Sequence, residues 1–130
     1  MTFQVDVILS QVGHFALTSD GWTANNGSKF IVITLHTFFQ NNLLSLSLSL
    51  PQISFQSAAA LASSVRGTLE SHNLHMDRVS AMTTDGAANM LALCNDLQLV
   101  RSPCVAHLVQ LFLKKVLSVR DFDRFPRVLS

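Results

Sequence analysis

Hydrophobic positions along the chain follow two periods, a period of two in the first half and a helical period in much of the second. The period of two is clearest in "LLSLSLSLP", where leucines at 44, 46, 48 and 50 alternate with serines until Pro51. This alternation predicts a strand with a leucine face and a serine face, and a disordered low-complexity segment is the alternative interpretation. The runs "HFALTSDGW" and "KFIVITLHTFF" flank the turn-forming "TANNGS" and predict two neighbouring strands.

The helical period begins after the leucine-serine run. From Ser57 to about His72 the chain is rich in alanine, and Leu61, Val65 and Leu69 recur four residues apart, which predicts a crossover helix. The segment "MDRVSAMTTD" then predicts a fourth strand, and "GAANMLALCNDL" predicts a second helix. "LVRSPCV" predicts a short last strand, and "AHLVQLFLKKVLSV" predicts a third helix.

The order of these elements predicts an α/β fold with a mixed sheet. Three strands joined by turns form an antiparallel meander, and the strands that follow are joined through helices, so they run parallel with helices on both faces. Asp20 and Asp85 are expected to end the first and fourth strands. Because parallel neighbours emerge at the same edge of a sheet, these two carboxylates are expected to face each other.

Composition narrows the class of protein. The 130 residues fit one domain, and a net charge of +1 gives no broad basic surface. A hydrophobic content of 48% and a mean hydropathy of +0.35 indicate a fragment whose surface is partly covered in a larger protein. Short apolar runs and a start without a basic region predict an intracellular protein with no membrane partner. No glycine-rich phosphate fingerprint occurs, which argues against a small nucleotide-binding α/β domain, and no small-molecule cofactor is expected.

Three segments carry a family resemblance. "FALTSDGWTANNGSKFIVITLHTF", "VSAMTTDGAANMLAL" and "SPCVAHLVQLFLKKVL" resemble, in this order, the catalytic core of hAT-type DNA transposases and their BED-finger relatives, which have a ribonuclease H-like fold. Gly86 stands where the family usually has Asn, and "LVQL" replaces the usual "TLNL". The resemblance implies a truncated core at 15–117, an N-terminal flank of an incomplete domain at 1–14 and a C-terminal tail at 118–130.

The same resemblance implies a role for the two aspartates. In the family the matching residues are two of three catalytic acids, so Asp20 and Asp85 would bind Mg²⁺ or Mn²⁺ for DNA cleavage and strand transfer in the nucleus. Hard oxygen ligands suit Mg²⁺, and two such ions can drive an in-line phosphoryl displacement. Without the resemblance, a turn role for Asp20 and a helix N-cap role for Asp85 are the simpler interpretations.

A third acidic residue is missing from the matched segments. In the family it is a Glu on a helix beyond an inserted helical domain, whereas Glu70 is the only glutamate here. Glu70 lies 70 − 57 = 13 residues along the crossover helix, about 20 Å from its start, so it is not expected to reach the site. No spacing argument supports Asp121 or Asp123. We therefore expect no activity from this chain alone, and the alternative is a non-catalytic module that binds DNA, a protein partner or itself.

Four further residues are candidates for accessory roles. Trp22 is expected either to stack on a base or to pack inside the protein. Asn89 is expected to cap or orient the second helix. Cys104 and His107 lie three residues apart and alone form an incomplete zinc site, the alternative being a buried Cys beside a helix-starting His. The family resemblance implies instead that His107 contacts DNA or a substrate phosphate.

Overall fold

The computed structural model describes residues 2–49, 52–53 and 57–119, and these residues form four helices and six strands. The helices are α1 (Thr2–Gln11), α2 (Ala58–Ser71), α3 (Ala88–Asp96) and α4 (Val105–Val119). The strands are β1 (Phe15–Thr23), β2 (Lys29–Phe39), β3 (Asn42–Ser49), β4 (Gln52–Ile53), β5 (Val79–Thr84) and β6 (Arg101–Pro103). A short 3₁₀ turn at Met76–Arg78 leads into β5.

All six strands belong to one mixed sheet. Its order is β3-β2-β1-β5-β6, and β4 adds a short pairing to β2. The β1–β2 and β2–β3 pairs are antiparallel, whereas β1–β5 and β5–β6 are parallel. The predicted fold class is therefore confirmed: a meander of three strands precedes alternating helices and strands, an arrangement compatible with a ribonuclease H-like fold.

One face of the sheet carries the core. Alternate residues of the central strands are buried on this face, as the period of two requires. The helix α2 packs there through Leu61, Val65 and Leu69, so the four-residue spacing correctly identified its buried side. Ser57 begins this helix as predicted, because its Oγ accepts a hydrogen bond from Ala60 N at 3.2 Å. Other fully buried members of the core include Leu9, Leu17, Ile31, Ile33, Leu35, Met82 and Leu93.

The leucine-serine run forms the edge strand β3. Leu46 and Leu48 pack against the core, and Ser45 and Ser47 are exposed on the other side. The prediction of a two-faced strand is confirmed for 42–49, while Leu50 and Pro51 lie outside the described residues. Half-burial of the leucines explains why this repetitive sequence forms a strand, since one face gains contact with the core.

Two predicted boundaries are wrong. β1 does not end at Asp20 but continues to Thr23, because β2 offers backbone partners along this whole length and pairs Val32 with Asp20. Asp85 is not the N-cap of α3, because the helix begins at Ala88 and Ala87 holds the cap position. The carboxylate of Asp85 instead closes a turn by accepting a hydrogen bond from Ala87 N at 3.1 Å.

The first and last helices differ in how they meet the core. From the sequence, residues 1–14 are assigned only to an N-terminal flank, and Val5, Val7 and Ile8 have β-branched side chains of low helix propensity. The helix α1 nevertheless forms, and Leu9 and the following Val12 are buried in the core. The helix α4 instead leaves nearly all its described side chains exposed. None of the described helices is both long and apolar enough to cross a membrane.

Candidate carboxylate site

The parallel register of β1 and β5 places Asp20 and Asp85 at equivalent positions. After an irregularity at Phe15, Thr18 pairs with Thr83, an offset of 83 − 18 = 65 residues, which equals the 85 − 20 = 65 residues between the two aspartates. Neighbouring strands lie about 4.8 Å apart. The predicted adjacency is therefore confirmed, although β1 continues past Asp20 and β5 stops just before Asp85.

Both aspartates belong to the face of the sheet that lies opposite the core. Leu17 and Ser19 are buried on the core side of β1, and Met82 and Thr84 are buried on the core side of β5. The residues that alternate with these along each strand, including the two aspartates, lie on the other face. Together with the start of α4 they line an open cleft of about 360 Å³. We name it the acidic cleft, and its lining residues are Thr18, Ser19, Asp20, Thr83, Asp85, Cys104, Ala106, His107 and Gln110.

Asp20 is exposed, and its backbone is held by the strand ladder. Its Oδ1 accepts a hydrogen bond from Gly21 N at 2.9 Å. The preceding residue, Ser19, is only 4% exposed, and its Oγ makes no hydrogen bond within the described part of the chain. Buried hydroxyls normally have a partner. Ser19 Oγ is thus a buried, unsatisfied oxygen on the core side of β1, on the opposite face of the sheet from the Asp20 carboxylate.

Asp85 is held from the neighbouring strand by Arg101. The Arg101 guanidinium donates from Nη2 to Asp85 O at 2.8 Å and to Thr84 O at 3.3 Å, and from Nε to Thr84 Oγ1 at 3.0 Å. Thr84 Oγ1 in turn donates to Asp85 O at 3.1 Å. These bonds fix the chain at the point where β5 ends. Sequence reasoning missed Arg101, and the available signal was a lone arginine in the short strand after the second aspartate motif.

A buried thiol lies behind this arginine network. Cys94 of α3 is fully buried, and burial raises the pKa of its thiol, although a hydrogen bond with Thr84 and the charge of Arg101 act in the opposite direction. A neutral, buried thiol is a poor metal ligand. Cys94 therefore contributes to packing at this edge of the sheet.

Cys104 and His107 meet the acidic cleft at the start of α4. Both are partly buried and both line it, as expected from their spacing of three residues. Cys104 N donates to Thr84 O at 3.0 Å, which ties the beginning of α4 to the end of β5. The arrangement brings an imidazole to the same cleft as the two carboxylates.

Trp22 and Asn89 lie on the other side of Asp85. Together with Asp85 they line a second cleft, which also includes Phe30. Trp22 stacks on Phe30 with ring centroids 5.6 Å apart and an interplanar angle of 23°, yet 45% of its surface is exposed. Asn89 is the second residue of α3. The six predicted site residues are thus divided between two clefts that share Asp85.

No third acidic ligand completes the acidic cleft within the described residues. Glu70 lines a separate cleft on α2 with Asp96 and Arg66, and that cleft shares no residue with the acidic cleft. The part of the chain that the structure describes contains no group of three or more His, Cys, Asp or Glu able to hold a metal ion. Asp121 and Asp123 lie outside it. The available donors are hard oxygens, which fit Mg²⁺ or Mn²⁺ better than softer metals but form only part of a ligand set.

Comparison with known proteins does not assign this chain to a family. No protein-family model matches the chain, and no curated protein matches it. The fold and the register of the two carboxylates are therefore the observations on which a function can be based.

Proposed function

We propose that this chain is the two-carboxylate core of a hAT-type transposase site for metal-dependent DNA cleavage and strand transfer, inactive alone because a third acidic residue is missing. The main support for the proposal is the register of β1 and β5. Paired residues of the two strands are 65 positions apart in the chain, as Asp20 and Asp85 are, and both aspartates line one cleft. The three sequence motifs support the family assignment. A nuclear location follows from a DNA substrate.

The residues of the acidic cleft have distinct roles in this proposal. Asp20 and Asp85 would hold Mg²⁺ or Mn²⁺, and waters would complete the coordination of the cation. A bound cation supplies charge stabilisation at a phosphate and lowers the pKa of an attacking water or hydroxyl. His107 and Gln110 line the same cleft from α4 and are available to donate hydrogen bonds to a phosphate.

Trp22 has a separate role on the other side of Asp85. Its exposed ring is already oriented by stacking on Phe30, so a flipped or single-stranded base can stack on its free surface. The net charge of +1 supplies little long-range attraction for DNA, so binding depends on these local contacts and on the cation.

A second candidate function is a non-catalytic module that binds DNA or protein. Two observations favour it: the described residues supply no three-ligand group, and α4 exposes many apolar side chains. In this case the carboxylates have only their local backbone roles, and DNA binding does not depend on a divalent cation.

Metal-dependent DNA binding distinguishes the two functions. Fluorescence anisotropy of a labelled DNA duplex with a single-stranded end, measured with Mn²⁺ or with EDTA, should show tighter binding with Mn²⁺ for the wild type. Asp20→Asn and Asp85→Asn should abolish this gain, and the control Glu70→Gln should keep it because Glu70 lies in another cleft. Equal binding with Mn²⁺ and EDTA would leave only the non-catalytic module.

A designed variant tests the missing ligand directly. Gln110→Glu adds a carboxylate to the lining of the acidic cleft, and we expect it to tighten Mn²⁺ binding about tenfold, which corresponds to about 1.4 kcal/mol. The gain should disappear when Asp20→Asn is added. The same substitution at Gln98, which is exposed and outside the lining of the acidic cleft, should have no such effect.

A further inference from the structure

The apolar side of α4 is exposed and faces away from the acidic cleft. Every described side chain of this helix is exposed except the half-buried His107. Ala106, His107 and Gln110 line the cleft, whereas six apolar residues fall within an arc of about 140° centred on the opposite side of the helix at 100° per residue. These six are Val105, Leu108, Val109, Phe112, Leu113 and Val116, with exposures between 39% and 69%. We name them the α4 apolar face.

The extent of this face is large for a surface that stays in water. A fully exposed side chain of this size has roughly 150 to 200 Å² of surface, so the exposed fractions of its six residues give the α4 apolar face on the order of 550 Å². Patches of this size mark interaction sites on soluble proteins. Two such faces together reach about 1,100 Å², just above the roughly 1,000 Å² expected of a biological interface.

The arrangement of residues on the face is self-complementary. Phe112 lies at the middle of α4, so an antiparallel pair of helices with a twofold axis at this residue brings Leu108 opposite Val116 of the second copy. Such an interface uses the same residues from both copies. The helix carries no acidic residue, and the two copies of Lys115 would be separated by about 9 Å along the axis, about one Debye length.

We propose that the α4 apolar face is a homodimer interface, formed by antiparallel pairing of α4 from two copies of this chain. Both acidic clefts stay open in such a dimer because they lie on the opposite side of each helix. The proposal does not depend on the proposed function, since it uses none of the cleft residues.

The oligomeric state of the 130-residue chain tests this interface. Sedimentation velocity between about 1 µM and about 200 µM should show a concentration-dependent dimer for the wild type. Phe112→Glu should weaken dimerisation at least about 100-fold, because it places a charge on the symmetry axis. Leu43→Glu is the matched control, since Leu43 is 67% exposed and Phe112 65% exposed, and it should leave the dimer intact.

A cross-linking experiment covers the case in which Phe112→Glu fails to fold. In a Cys104→Ser background, Phe112→Cys should form an intermolecular disulfide under mild oxidation, whereas Leu43→Cys should not. A wild type that stays monomeric would overturn the proposal, and another part of the chain or another protein would then cover the face. Loss of the dimer in Leu43→Glu, or no cross-link at 112, would also overturn it. Folded Phe112→Glu should still bind Mn²⁺, because it leaves the acidic cleft unchanged. Failure of the dimer can therefore be distinguished from failure of the proposed function.

Discussion

The segments 19–21 and 84–86 have nearly the same sequence, Ser-Asp-Gly and Thr-Asp-Gly, but they are held by different contacts. In both, the hydroxyl residue is buried on the core side and the aspartate follows on the open side, as the period of two requires. Asp20 lies within β1, where β2 pairs along the backbone. Asp85 lies beyond the end of β5, where the Arg101 side chain takes over the role of a strand partner.

The buried hydroxyls show the same contrast. Thr84 Oγ1 accepts from Arg101 and donates to Asp85 O, so it belongs to a connected network. Ser19 Oγ is buried and has no hydrogen-bond partner among the described residues. Similar local sequences therefore produce one aspartate whose backbone is held by the strand ladder, beside an unsatisfied hydroxyl, and one whose backbone carbonyl is held by the Arg101 side chain, beside a satisfied hydroxyl.

Among the substitutions that test this difference between the two segments, loss of the Arg101 side chain should lower the free energy of unfolding most. Arg101→Leu removes three hydrogen bonds from a charged donor, and we expect the free energy of unfolding to fall by about 2 to 3 kcal/mol in urea titrations. Arg66→Leu is a suitable control, because exposed Arg66 makes one hydrogen bond, to Asp96 O at 3.2 Å, and should cost less than about 1 kcal/mol. Equal losses in the two variants would contradict the role of Arg101.

The two hydroxyls should respond differently to removal. Thr84→Val should lower the free energy of unfolding by about 1 to 2 kcal/mol, because Arg101 loses a buried partner. Ser19→Ala should be neutral or stabilising by up to about 1 kcal/mol, because it removes a buried hydroxyl that has no partner. Chemical denaturation of both variants checks this, and similar destabilisation by both would mean that Ser19 Oγ is satisfied in solution.

Cys94 should give the smallest effect, confined to high pH. Its pKa in the folded protein is raised above the ordinary value of 9.0, mainly by burial. The stability that the neutral thiol contributes is therefore fully present below about pH 9 and is lost as pH rises through the raised pKa. The wild type should lose more stability than Cys94→Ala over this range in urea titrations, and identical pH profiles would contradict a raised pKa.

Thiol labelling gives an independent check on Cys94. In the native protein Cys104 should react first with an aromatic disulfide reagent, because it is only partly buried. Cys94 should react only when the protein opens, so its labelling rate should rise in Arg101→Leu. Rapid labelling of both cysteines in the wild type would show that α3 does not protect Cys94.

Much of the fold could be predicted because periodicity reports directly on burial. The spacing of Leu61, Val65 and Leu69 identified α2, and leucine-serine alternation identified β3. The order of strands and helices then predicted that Asp20 and Asp85 meet at one edge. These inferences needed only local patterns and the rules for connecting strands.

The remaining features depend on contacts that local patterns do not contain. The Asp-Gly pair suggested that β1 ends at Asp20, but pairing with β2 overrides that turn signal. Arg101 could not be assigned because its acceptors are mostly backbone carbonyls of a neighbouring strand. The separation of Trp22 and Asn89 from the acidic cleft likewise follows from the three-dimensional positions of β1 and α3.

The central claim is that Asp20 and Asp85 bind one cation together. A double-mutant cycle of Mn²⁺ affinity, measured by isothermal titration calorimetry on the wild type, Asp20→Asn, Asp85→Asn and the double variant, tests it most directly. We expect each single substitution to weaken binding at least about tenfold and the double variant to be little weaker than either single one. Additive losses, or affinities equal to that of the control Glu70→Gln, would contradict a shared site.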